Sequence, residues 1–508
     1  MFLVTVVSLF MLSCTSTPSR QTEETHAAEN QSAHVAATEP IADTPEKEAV
    51  QERTLETTKT AAPEPQTEQA LETTAQEAII SPELAFMQQV QNYLAKNDIR
   101  GALNCFNDMP EAAAHNTDTD VLYASLLLSD GRIQDAQNIA DELLKNNNDN
   151  IDVLELNAYI AFITNSKNRD SLLKQILAKE PYNAQANMLQ AQVHFAKHRY
   201  KLANNSYQNV LKGNPNNVDA LFGYGQTMFY MKETGIDELK EAENAFQKVL
   251  AIDSTHALAL SYLGKIAAED KNYLRATSYI QKAIAVDDAN YDFFMDLGTY
   301  MRYQGKFSDA ENAWTRAIDL EPSYFLAYTY RASLYKEQKK YAQALADFNK
   351  AVETNPKYYY AYEDIGMLEW REQNWAKSRA AFQNALTFNK DNISYALMVG
   401  ATYLKEKKSA DCKKFLAQFM RTMNRATVQY DMARLYHDQG GINAENTIRL
   451  KLDKIEQSAE RGKMWYYMGL YYELLGSTSA ANEYYSKVMN MNASLFFEYE
   501  LALWSMNK

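Results

Sequence analysis

The sequence predicts an all-α solenoid of stacked helix pairs, on three observations. The first is a fixed period: Gly264, Gly298, Ala332, Gly366 and Gly400 recur every 34 residues, and Tyr273, Phe307, Tyr341 and Trp375 form a second column at the same pitch. Ala276, Ala310, Ala344, Ser378 and Cys412 make a third column, Ile280, Trp314, Phe348, Phe382 and Leu416 a fourth, and Ala283, Ala317, Ala351 and Ala385 a fifth. The second observation is that small and large columns alternate, as close-packed helices require. The third is that each period holds two stretches with apolar residues at helical spacing, separated by turn residues. A unit of this length cannot bury its apolar face alone, so it stacks on its neighbours, and the array extends without a second core.

The first fourteen residues, MFLVTVVSLFMLSC, are an apolar run too short to span a bilayer as a helix. They end in Cys14 and are followed at once by polar TSTPSRQTEETH. This resembles a bacterial lipoprotein signal peptide, with Met11-Leu12-Ser13 in the place of the lipobox and Cys14 as the lipidated residue. Residues 15–81 follow with 13 Asp/Glu against 4 Lys/Arg, and no Phe, Trp or Tyr. A Thr/Glu/Pro-rich stretch of that kind buries too little apolar surface to offset its ordering entropy, so it is expected to be a disordered acidic linker. It carries −9 of the net −14 charge of the chain, and no basic stripe occurs elsewhere, which argues against nucleic acid as a partner.

The helical pattern starts near residue 82. Residues 82–256 read as degenerate repeats, 257–425 as regular ones and 426–494 as a C-terminal group, with 495–508 an unpaired capping helix. This gives about twelve helix pairs plus the cap. The clearest unit is 291–322. Phe294, Leu297, Gly298 and Met301 fall on one helical face, Gly305 permits a left-handed turn, Ser308 is placed to cap the second helix, and Pro322 stops it. Gly298 and Ala310 allow close approach, while Trp314 and Phe307 are expected to fill the groove. In the final segment Tyr499, Ala502 and Leu503 take the core columns.

The spacing and residue types resemble the tetratricopeptide repeat, with strong matches starting at 257, 291, 325 and 359. The resemblance implies a right-handed α-α superhelix whose first helices line a concave groove for extended peptides or partner proteins. Carried onto this chain, the groove positions include Phe222, Phe229 and Tyr230, then Arg302 and Tyr303, then Lys336 and Glu337. Tyr360, Met367, Trp370 and Arg371 follow, with Tyr466, Phe497 and Trp504 from the C-terminal end. Aromatic and Arg side chains of this kind are common interface anchors. The Lys and Asn pattern of the chaperone-tail carboxylate clamp is missing, since the equivalent positions hold Asp296, Tyr330 and Asp364.

No Gly-rich phosphate loop, zinc-ligand cysteine cluster or nucleophile elbow occurs, so no catalytic residue, metal or cofactor is implied. His194 and His198 are four apart on a helix but lack further ligands nearby, and Cys412 sits in the small-residue column. The expected function is a non-catalytic scaffold that holds envelope proteins together, lipid-anchored on the periplasmic face of a bacterial membrane. Two alternatives are an accessory of a periplasmic transport system, with a cavity lined by Phe222, Tyr303 and Trp370, and a cytosolic adaptor.

Overall fold

The computed structural model describes residues 81–114, 116–232, 236–440, 442–452, 454–491 and 496–507. Cys14, the run 1–14 and the acidic segment up to residue 80 lie outside the described residues. Among the described residues there are 25 α-helices and no strand. They fall into two units that divide between residues 233 and 234.

The first unit holds α1 (Pro82–Leu94), α2 (Ile99–Asn104), α3 (Thr117–Ser129), α4 (Ile133–Asn146), α5 (Ile151–Ile163), α6 (Arg169–Lys179), α7 (Ala184–Ala196), α8 (Tyr200–Gly213) and α9 (Val218–Tyr230). The second begins with α10 (Ile236–Ile252). It continues through the pairs α11 (Ala257–Glu269) and α12 (Tyr273–Val286), α13 (Tyr291–Tyr303) and α14 (Phe307–Leu320), and α15 (Phe325–Glu337) and α16 (Tyr341–Thr354). Next come α17 (Tyr359–Arg371) and α18 (Trp375–Phe388), α19 (Ile393–Lys405) and α20 (Ser409–Phe419), and α21 (Val428–Asp438) and α22 (Ile442–Leu452). The last pair is α23 (Ser458–Leu474) and α24 (Thr478–Met489), and α25 (Phe497–Met506) closes the chain as the unpaired helix anticipated.

Helix boundaries repeat with the sequence. Asn150, Asn183, Asn217, Asn290 and Asn392 each accept a backbone N–H from the first turn of the helix that follows. Each such cap contributes about 1 kcal/mol. Between paired helices the chain passes through the left-handed region at Lys271, Gly305, Lys339, Gln373 and Lys407, again one position per repeat. Only Gly305 among them adopts that conformation without steric cost. Ser308 does not cap its helix: the cap position is Lys306, which makes no side-chain bond, and the helix starts one residue before Ser308.

Packing follows the columns. Trp314, Phe348 and Phe382 are fully buried, each under the first helix of its own pair. The glycine column exists because these rings occupy the space a Cβ would need: one on Gly298 would stand 2.6 Å from Cδ1 of Trp314, and one on Gly366 would stand 2.8 Å from Phe382. Phe307 departs from expectation, with 43% of its surface exposed. Sitting at the first position of α14, it covers the turn instead of the groove. In α13 the buried residues are Phe293, Met295, Gly298, Tyr300 and Met301, with Phe294 and Leu297 only half-buried. A first helix touches its own partner, the preceding second helix and the neighbouring first helix, so burial spreads beyond a single stripe.

Candidate partner-binding groove

First helices in the second unit reach one another through side chains on their shared face. Lys265 of α11 pairs with Asp296 of α13 at 3.8 Å, and Arg302 of α13 pairs with Glu337 of α15. Lys336 of α15 donates to Asp364 of α17 at 2.6 Å, and the Tyr395 hydroxyl of α19 donates to Glu363 of α17 at 2.7 Å. The result is a row of charged and phenolic groups running from helix to helix. Toward the C-terminus the first helices also meet across longer separations. The Tyr467 hydroxyl lies 3.0 Å from both the Ser394 carbonyl and Glu498, within hydrogen-bond distance of each, and Lys405 bonds Glu473 at 3.0 Å.

A tetratricopeptide-repeat family profile matches residues 188–229, 295–359 and 331–393. These are tetratricopeptide repeats. The DnaJ homolog subfamily C member 7 homolog of Dictyostelium discoideum is 26% identical over 231 residues, a match covering 41% of this chain and 41% of that protein. The chain thus spans less than half the length of that relative. Among solved structures, that of MamA shares 28% identity, covering 33% of this chain and 95% of that one, with a TM-score of 0.29. A tetratricopeptide repeat protein from Parabacteroides merdae shares 19% identity, covering 50% of this chain and 98% of that one, with a TM-score of 0.37.

The tetratricopeptide frame sorts the anticipated groove residues. Lys336, Arg371 and Trp504 come together: the Arg371 guanidinium stands 4.0 Å over the Tyr341 ring and 5.9 Å from the Trp504 ring, and Lys336 lies 3.3 Å from Glu500, on the same helix as Trp504. Arg302 is tied to Glu337, Tyr303 stacks on Tyr273 at 4.6 Å, and Tyr360 stacks on Tyr359 at 4.1 Å with its outer face exposed. Met367, Trp370 and Tyr466 are core residues, against expectation. Trp370 packs edge-on against Trp375, and Tyr466 is closed in because α19 and α23 lie directly on one another. Phe222, Phe229 and Tyr230 belong to the first unit. There Phe229 is buried, Phe222 is half-buried, and Tyr230 stacks on Tyr200 at 5.6 Å.

Other residues with chemistry in reserve are quiet. His198 occupies a left-handed turn and meets the Tyr200 hydroxyl at 2.8 Å, while burial lowers the pKa of half-buried His194. No group of residues among those described could hold a metal ion. Cys105 and Cys412 are buried free thiols, and burial pushes Cys412 up to about 12, far from a reactive thiolate.

The carboxylates at the centre of the second unit were not legible as a group, because α17 and α25, which supply them, are more than 120 residues apart in sequence. Burial pushes Glu363 up to about 7, with Asp364 and Glu498 adding to the rise and the Tyr395 hydrogen bond and Lys336 opposing it. For Lys336 burial disfavours the charge, yet Asp364 and Glu500 outweigh it and hold the ammonium above its ordinary value. Glu363 is the group whose titration falls in the accessible range. Its folded value lies above the unfolded one, so the folded state binds the proton more tightly. The associated stability is complete below the unfolded pKa and is lost as pH rises through about 7. Glu363→Gln removes this dependence, so the variant is expected to gain on the order of 2 kcal/mol of stability relative to wild type from pH 5 to pH 8. The check is urea denaturation of both chains across that range. The difference is the quantity to use, since Glu155 in the first unit is also pushed up to about 7 by burial.

Proposed function

We infer that this protein is a non-catalytic scaffold that gathers other proteins at a bacterial envelope membrane. Proteins with tetratricopeptide repeats bind proteins and peptides, and one observation carries the reading onto this chain. The row Lys265–Asp296, Arg302–Glu337 and Lys336–Asp364 presents alternating charge along consecutive first helices. Such a face recognises an extended or helical segment by exchanging internal ion pairs for external ones, which favours specificity more than raw affinity. Two flanking aromatic surfaces, Tyr303 and Tyr360, supply apolar contact.

The envelope part of the proposal rests on the first eighty-one residues. Cys14 carries the lipid, and residues 15–81 act as a spacer whose span as a flexible coil is on the order of 45 Å. Among the described residues no helix is long and apolar enough to cross a membrane.

Two experiments test the reading. Photo-crosslinking in native envelopes, with the probe at position 303 or 360, is expected to capture a reproducible protein. An Arg302→Glu/Tyr360→Ala chain that captures the same protein at the same yield removes this face from the function. Palmitate labelling is expected to vanish in Cys14→Ala, and labelling that persists ends the lipoprotein assignment.

A further inference from the structure

The helix α25 does more than cap the array. It packs on α23 and α24 as the next first helix would, and it also reaches α17, four helix pairs earlier in the chain. Three of its side chains, one on each successive turn, reach residues of α15 to α19. The Phe497 ring lies 5.8 Å from Phe382 and 6.0 Å from Tyr395. The Glu500 carboxylate lies 3.3 Å from the Lys336 ammonium. The Trp504 indole meets Tyr341 edge-on at 5.6 Å, with Arg371 bracketing both rings. Positions i, i+3 and i+7 entering a groove are the signature of an amphipathic helix docked on a receptor face.

The receptor side includes two residues that the tetratricopeptide resemblance assigns to a binding groove, Lys336 and Arg371. Its chemistry is specific: a phenyl-sized site, a cation one turn along and an indole site another turn along. The occupant is held lightly for a core element. It is ten residues long, its ion pair is about a quarter exposed on each side, and Leu503 and Met506 face solvent. So short a helix has little stability of its own and depends on the contacts it makes, Leu501 and Ala502 being its buried side.

We propose that the face formed by Lys336, Tyr341, Arg371, Phe382 and Tyr395 is the protein-binding groove, and that Phe497–Met506 fills it until a partner displaces it. The partner supplies an acidic amphipathic helix with aromatic residues at its first and eighth positions and a carboxylate at its fourth. The assignment rests on the scaffold reading and gives it a location and a ligand class.

The test uses the full chain and, as the probe, a fluorescent peptide with the sequence of residues 496–507. Glu500→Lys/Trp504→Ala weakens the resident helix without touching the groove. That variant is expected to bind the peptide at least tenfold more tightly than wild type, as followed by anisotropy. Adding Arg371→Ser is expected to remove most of the gain, and a peptide carrying the Glu500→Lys and Trp504→Ala changes is expected not to bind. Equal affinity for wild type and released chain, or binding by neither, overturns the proposal. Hydrogen exchange on the wild-type chain settles the case in which the variant loses structure. Saturating peptide is expected to deprotect 497–506 while 393–489 stay protected, and unchanged protection of 497–506 overturns the proposal. If crosslinking in envelopes recovers the same partners from wild type and from the Arg371→Ser chain while the peptide binds neither, the scaffold stands and this groove falls.

Discussion

Replacing Arg331 with methionine is expected to destabilise the second unit by about 3–5 kcal/mol, a large loss for a residue with no place in any repeat column. Arg331 on α15 forms a two-pronged pair with Asp347 on α16 at 2.7 and 2.8 Å and donates to Thr315 of the preceding repeat at 2.9 Å. The side chains are only 16% and 10% exposed, so the survivor of a single substitution is a charge without solvent or counter-ion. The cost comes from that stranded carboxylate and not from the net worth of the pair. The double variant Arg331→Met/Asp347→Leu is therefore expected to lie within about 1 kcal/mol of wild type. Urea denaturation of the two single variants and the double variant checks this. Additive losses in the double variant would show that the two groups contribute independently.

Trp314→Ala is expected to cost a similar amount, about 3–5 kcal/mol. The indole is fully buried between α13 and α14, and its N–H donates to the Met295 carbonyl at 3.2 Å. Truncation leaves a cavity and removes one of the two side-chain donors to the Met295 carbonyl, the other being the Thr299 hydroxyl. The same contact makes Gly298→Ala costly, at the upper end of about 1–3 kcal/mol, because the indole is rigid and cannot yield. Combining Gly298→Ala with Trp314→Phe restores room for the new methyl, so the pair is expected to be less destabilised than the sum of the singles. The cycle is read from denaturation midpoints, with amide exchange across 291–320 confirming that the effect is local. Strict additivity would mean that Gly298 is small for some reason other than Trp314.

The repeat, the helix pairs and the turns were legible because each depends on residues near one another in sequence. Gly305 and Pro322 mark the start of one turn and the end of the next helix, and Ala310, Trp314 and Ala317 share one buried face as their spacing implies. What the sequence concealed were relations between repeats. Met367, Trp370 and Tyr466 have the residue types of binding anchors but lie in the core, because first helices near the C-terminus press on one another. The final helix is buried through Glu498, Leu501 and Ala502, one position out of the expected register, and it meets Lys336, Tyr341, Phe382 and Tyr395 from earlier repeats as well as the preceding pair. Arg331 and Asp347 carry no signal at all: a charged residue on a helix face is ordinarily solvated, and only the packed pair shows otherwise.

The bond from Tyr467 to the Ser394 carbonyl, which joins residues 73 apart, restricts how this chain could grow. Upstream, where each pair meets only its immediate neighbours, an additional 34-residue unit inserted after residue 324 would find a seat on either side and exchange only nearest-neighbour contacts such as Arg302–Glu337. The same insertion after residue 425 would carry Tyr467 away from its acceptor and α25 away from Lys336. Lengthening by duplication is thus open to one stretch of the array and closed to the other, and length variation among descendants of this gene should be confined accordingly.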